Sequence, residues 1–214
     1  MIDMKQLYIA GLLFLSAIAL PAYGTRLPLP ESCQTQCVTP YGDVLGKTKN
    51  NITAYSNCQS TCVVFNPEKH NGTYTGIQWQ CVEYARRWLL INHGVVYGDV
   101  DYAVDIWDKI DSYRRVSDGR QLATRNIVNG SALPPQAGDL LVYARAMFGG
   151  TGHVAVVISV DRKRRTIRLA EQNYSNKKWP ADYSREVPYV IRQGNYWVLD
   201  GYLLGWKRMK PALD

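Results

Sequence analysis

Histidine is scarce in this sequence, with three among 214 residues, and beyond residue 24 no apolar run is long enough to cross a bilayer. Spanning takes about 20 such residues, so the remainder is expected to hold no transmembrane anchor. Internal repeats and low-complexity segments are lacking, which excludes repeat architectures. There is no zinc-finger spacing, no RNA-recognition signature and no basic helix, so nucleic acid is not expected as a partner. Asp99, Asp101 and Asp105 cluster, but the glycine and distal glutamate of an EF-hand are missing. These acids are expected to start a helix instead. Neither a metal nor a cofactor is called for.

What is present begins with a leader. Lys5 precedes an apolar run from Leu7 to Leu20, followed by Pro21 and the small-residue frame Ala22-Tyr23-Gly24. That is the layout of a secretory signal peptide, residues 1–24. Removal leaves 214 − 24 = 190 residues, enough for one domain with a full core. The net charge of +7 suits a secreted protein that meets anionic polymers, cell walls or membranes.

The cysteines number five. Cys33, Cys37, Cys58 and Cys62 form two Cys-x-x-x-Cys pairs. In a secreted chain they read as two disulfides with three possible connectivities, a zinc site being the alternative. Cys81 is left over, and an odd thiol in such a chain is reactive, intermolecularly bridged or merely buried.

Residues 25–40 are rich in Pro and Cys and read as an extended arm. Val44-Leu45 and Ile52–Tyr55 flank a polar turn and predict a hairpin. From Gln80 to Asn92 the spacing is helical, with Val82, Ala85 and Leu89 on one face and Gly94 as a stop. A second helix is expected from Tyr102 to Ile110, and a loop from 126 to 138. The pattern then changes to strands at 139–143, 153–160, 166–172, 196–199 and 202–206. Helices first and antiparallel strands after is an α+β layout, with helices packed on one side of a sheet.

Cys81 opens the first helix. A thiol is a nucleophile when ionised, and a helix start favours an anion with its free N–H groups and macrodipole. A base is also needed. His93 stands at the far end of the same helix, about 18 Å away at 1.5 Å per residue. His70 lies in a polar loop without an orienting group. His153 opens a strand after Gly149-Gly150-Thr151-Gly152, a loop small enough for a substrate to approach. The next strand ends in Glu171-Gln172-Asn173, and Glu171 and Asn173 share a face. An odd-numbered turn of three or five residues would set that face beside His153; a slip of one residue would remove it.

The stretches WQCVEYARRWL, TGHVAVV, IRLAEQN and LLGW, in this order, resemble the amidase domain of glutathionylspermidine synthetase/amidase and trypanothione synthetase. Those amidases belong to the cysteine, histidine-dependent amidohydrolase/peptidase (CHAP) group. The similarity runs from about Tyr41 to about Arg208, so the domain is expected over 41–214. The resemblance implies a papain-like α+β fold and amide hydrolysis through an acyl-enzyme. It implies Cys81 as nucleophile, His153 as base, and Glu171 and Asn173 at the orienting positions. Glu171 ranks first, because a carboxylate stabilises imidazolium better than an amide does. Gln80 is expected to help shape the oxyanion site.

Three departures bear on substrate. These 214 residues hold no counterpart of an ATP-dependent ligase half, a leader is expected, and four cysteines brace the N-terminal region. They favour a secreted amidase or endopeptidase acting on peptidoglycan-type peptides of a bacterial cell wall. A glutathione–polyamine conjugate is the second reading, and a catalytically silent binding module the third.

Other features have two readings each. Arg86 either lies on a solvated face or enters the cleft to hold a substrate carboxylate; Gly152 also belongs to the expected substrate site. Glu83 and Arg87 are spaced for an i,i+4 ion pair. The run Arg162–Arg165 reads as a soluble hairpin tip. Sequons at Asn51, Asn71 and Asn129 are expected to carry glycans where the host adds them. Asn173 also lies in a sequon and is expected to stay bare, because a glycan there would crowd His153.

Overall fold

The polar turn at 48–51 lets two short strands, β1 (Val44–Lys47) and β2 (Thr53–Tyr55), pair antiparallel as the expected hairpin. The computed structural model describes residues 28–211. The expected leader, residues 1–24, lies outside the described residues. The arm does not stay extended: Glu31–Cys33 form a 3₁₀ turn, and two disulfides, Cys33–Cys62 and Cys37–Cys58, fold it onto the turn after β2. Of the three connectivities this is the nested one. Among the described residues Cys81 is the free cysteine.

A second hairpin, β3 (Pro67–His70) with β4 (Thr73–Ile77), precedes the helix α1 (Cys81–His93). Strands therefore come before the first helix as well as after it. Gly94 ends α1 in the left-handed conformation, its N–H bonded to the Leu90 carbonyl. Then follow β5 (Val95–Val96), the short helix α2 (Asp105–Lys109), β6 (Ser112–Arg115) and β7 (Gln121–Val128). The expected second helix contracts because Asp105, Ile106 and Trp107 donate to carbonyls only three residues back, the tighter turn that rarely propagates. The expected loop at 126–138 gives its first three residues to β7.

The remaining strands are β8 (Leu140–Tyr143), β9 (His153–Asp161), β10 (Thr166–Ala170), β11 (Arg185–Arg192), β12 (Asn195–Val198) and β13 (Leu203–Met209). Nine strands form one antiparallel sheet in the order β12-β11-β10-β9-β8-β13-β7-β6-β5. The architecture is mixed, with a dominant antiparallel sheet and few helices.

The central strands are covered on both faces, which is why LLVY and HVAVV read as unbroken apolar runs. Leu140, Val142, Val154 and Val156 face α1 and pack with Tyr84, Ala85, Trp88 and Leu89. Leu141, Tyr143, Ala155 and Val157 face the other way, toward Ile167, Leu169 and Trp206. Each buried aliphatic side chain stabilises by about 1.5–3 kcal/mol. That packing seats the first turn of α1 against the start of β9.

Candidate active site

Gln80 caps α1 from an extended conformation (φ −80°, ψ 156°), so Cys81 is the first helical residue. The N–H groups of the first turn have no intrahelical acceptor and lie at the thiol. Cys81 is 8% exposed and His153 is fully buried.

The way Glu171 reaches His153 differs from the expected odd-numbered turn. Asp161 pairs with Thr166, so the turn has four residues, Arg162–Arg165, all exposed. The Asp161 carboxylate accepts from the N–H groups of Lys163 and Arg164, and Arg165 takes the left-handed conformation (φ 54°) that glycine usually fills. An even turn alone would have sent Glu171 to the wrong face. One residue of β9, Ile158, is left without a partner, because Arg168 pairs with Ser159 while Leu169 pairs with Val157. This bulge shifts the register by one and returns Glu171 to the His153 side.

The Nε2–H of His153 donates to Glu171 Oε2 at 2.8 Å. Nδ1 is buried and has no partner among the well-formed hydrogen bonds, which leaves it for the Cys81 thiol. Burial opposes charge on the ring. The Cys81 charge, then the Glu171 hydrogen bond and charge, outweigh burial and raise its pKa to about 9. Burial likewise pushes Glu171 up, but Arg185 and His153 hold it down at about 2.

Arg185, with Asp200 and Tyr143 beside it, was not anticipated. Its Nε donates to Glu171 Oε1 at 2.5 Å, its Nη1 pairs with Asp200 at 2.8 Å and its Nη2 donates to the Tyr143 hydroxyl at 2.9 Å. Ser184 Oγ adds a bond to Glu171 Oε1 at 3.1 Å. Phe148 and Tyr174 stand beside the His153 ring, with centroids 5.6 and 5.2 Å away. Arg185 and Ser184 were hidden because Pro188, exposed between buried Val187 and Tyr189, argues against a strand there. Arginine beside a buried carboxylate leaves no local sequence signal.

Asn173 makes its side-chain hydrogen bonds away from the imidazole. Its Nδ2 donates to Gln80 Oε1 at 2.7 Å, and its Oδ1 accepts from Asn57 Nδ2 at 3.2 Å. Gln80 Nε2 turns to the Cys62 carbonyl (3.1 Å) and to Asn57 Oδ1 (3.3 Å). The Gln80 amide is therefore tied inward, and the N–H groups of the first turn are the donors that remain for an oxyanion.

Arg86 lies neither on a solvated face nor in the cleft. It is buried, and its guanidinium bonds the carbonyls of Thr75 and Gly98 and the Asp99 carboxylate, with the Tyr97 ring 4.7 Å away. Glu83 and Arg87 do pair, at 2.6 Å, but inside the protein rather than in solvent. The Asp105 carboxylate is taken by Lys109, Arg145 and the Tyr102 N–H. His70 and His93 line a separate cavity. Asn51 and Asn71 are exposed, whereas the Asn129 amide pairs both ways with the Val198 backbone.

The cleft that holds Cys81, His153, Gln80, Gly152 and Asn173 measures about 540 Å³. Val63 and Phe65, just beyond Cys62, also line it and are exposed. Gly152 sits at φ +68°, and a Cβ there would meet the Tyr143 carbonyl at 2.7 Å and Val104 at 3.0 Å. Gly149 has the same backbone conformation, φ +67°, with open space around it. Left-handed backbone costs an alanine about 1–2 kcal/mol. Gly149→Ala should lose about that much in denaturant unfolding. Gly152→Ala should lose more and also displace His153; equal losses would show that the close approach is immaterial.

The CHAP domain family matches residues 71–173. The bifunctional glutathionylspermidine synthetase/amidase of Escherichia coli (strain K12) is 32% identical over 184 residues, covering 78% of this chain and 29% of that protein. Trypanothione synthetase of Crithidia fasciculata is 29% identical over 172 residues, covering 80% of this chain and 26% of its own length. The chain thus spans less than a third of the curated relatives it matches. The crystal structure of Ly7917 superposes with a TM-score of 0.34 at 22% identity, over 61% of this chain and 53% of that one, which is too slight to define the fold. With Cys81, His153 and Glu171 all inside the matched segment, the chain carries a CHAP domain over residues 71–173.

Proposed function

We propose that this protein is a secreted cysteine amidase or endopeptidase that hydrolyses amide bonds of peptidoglycan-type peptides, built as a papain-like CHAP domain over 41–214. The observation that carries the reading is the chain of contacts from Arg185 through Glu171 to His153, beside a free thiol in an open cleft. The Cys81 sulfur attacks the substrate carbonyl, and the first N–H groups of α1 receive the oxyanion. As the C–N bond breaks, the imidazolium of His153 gives its proton to the leaving amine. A water then attacks the thioester, His153 takes its proton, and the acid is released with the thiol restored. Glu171 holds the ring and balances its charge throughout.

The cell-wall substrate is supported by the leader-like start, two disulfides, and a net charge of +7 suited to an anionic polymer. No helix of the described residues is long and apolar enough to cross a membrane. The names of the relatives favour a second reading, in which the substrate is a glutathione–polyamine conjugate. Incubation with purified peptidoglycan and, separately, with glutathionylspermidine decides between them by product mass. New amine and carboxyl termini in the peptidoglycan are expected. Cleavage of the conjugate alone would reject the cell-wall substrate, and cleavage of neither with retained binding would mark a silent binding module.

A further inference from the structure

Three carboxamides close a ring beneath the site. Asn57 Nδ2 donates to Asn173 Oδ1 (3.2 Å), Asn173 Nδ2 to Gln80 Oε1 (2.7 Å), and Gln80 Nε2 to Asn57 Oδ1 (3.3 Å). Each amide gives one bond to the next and takes one from the last. Gln80 immediately precedes Cys81 at the head of α1. Asn173 follows Glu171 where β10 ends. Asn57 comes from neither element: it precedes Cys58, inside the disulfide-bound segment and upstream of residues 71–173.

Asn57 is fully buried and anchored on its own side. Its Nδ2 also reaches the Cys62 carbonyl at 2.6 Å, and its backbone N–H donates to Asn176 Oδ1 at 2.9 Å. The same Cys62 carbonyl accepts from Gln80 Nε2 at 3.1 Å. Both disulfides bear on this point, since Cys58 and Cys62 are the residues they hold.

We propose that Asn57 is a positioning residue that sets the Cys81 thiol against the His153 ring, and that the two disulfides hold Asn57 in place, so that the reactivity of Cys81 depends on their oxidation. A satisfied buried amide network specifies one arrangement, and opening it at one member leaves its neighbours unpaired. The proposal rests on the cysteine-hydrolase reading, but its test follows the thiol itself rather than hydrolysis.

The test compares wild type with Asn57→Ala in two readouts: the rate at which iodoacetamide alkylates Cys81 at pH 7, followed by peptide mass, and the titration of His153 by imidazole NMR. Asn57→Ala should slow alkylation about tenfold, as the thiol loses its place against the imidazole. It should also move the His153 titration down from about 9 toward the ordinary 6.5. A purely structural role would lower the unfolding midpoint and leave both readouts unchanged in the folded protein; that result overturns the proposal. If Asn57→Ala does not fold, wild type with both disulfides reduced by a phosphine decides. Slowed labelling of Cys81 supports the proposal, and labelling at the oxidised rate refutes it.

Discussion

Cys81→Ala should fold as the wild type does and hydrolyse its substrate about 10⁴- to 10⁶-fold more slowly, the scale at which an acyl-transfer nucleophile is lost. The fold is expected to survive because Cys81 is the first residue of α1, where alanine is the best helix former. The side chain makes no disulfide, so only a sulfur atom's worth of packing goes. Initial rates and an unfolding curve on the same preparation separate the two effects. Unchanged hydrolysis would reject the mechanism outright. His153→Ala should cost a comparable factor, and the double variant little more, because residues that act as a unit do not add.

Glu171→Gln should cost about 10²- to 10⁴-fold in rate, the range of a positioned acid–base group, and should reshape the pH profile. His153 is raised to about 9 in the folded protein, above its ordinary 6.5. Its contribution to stability and to the ion pair is therefore complete below about 6.5 and lost as pH rises through 9. Glu171 is depressed from 4.5 to about 2, so its contribution is complete above 4.5 and lost as pH falls toward 2. The two overlap in full between about pH 4.5 and 6.5. Removing the carboxylate charge takes away one of the influences that raise His153, so the alkaline limb of activity should move from near 9 toward 6.5. Arg185 keeps Asp200 and Tyr143 as partners, so the variant is expected to stay folded. An unmoved alkaline limb would mean that Glu171 does not govern the His153 charge.

Much of the fold was open to reading because burial leaves a period in the sequence. The helix at Cys81 showed in the spacing of Val82, Ala85 and Leu89, and its end in Gly94. Strands β8 and β9 showed as apolar runs. Elements without such a period were missed. The β3–β4 hairpin, PEKH and TYTGI, has no apolar alternation, and Pro188 disguised β11.

The proposed reacting pair can be picked out from the order of residues: an unpaired cysteine at a helix start, and a histidine opening a strand beyond a glycine-rich loop. Chemistry of that kind depends on residue type and local conformation, which are properties of short segments. Three matters were decided only in three dimensions. The bulge at Ile158 chose which face Glu171 occupies, because pairing register depends on the whole strand and not on the turn that starts it. The packing of β11 beside β10 brought Arg185 to that carboxylate from fourteen residues away. And the folding of the disulfide-bound segment under α1 assigned Asn173 to Gln80 and Asn57 rather than to His153, since a buried amide goes to whichever partners the surrounding backbone supplies.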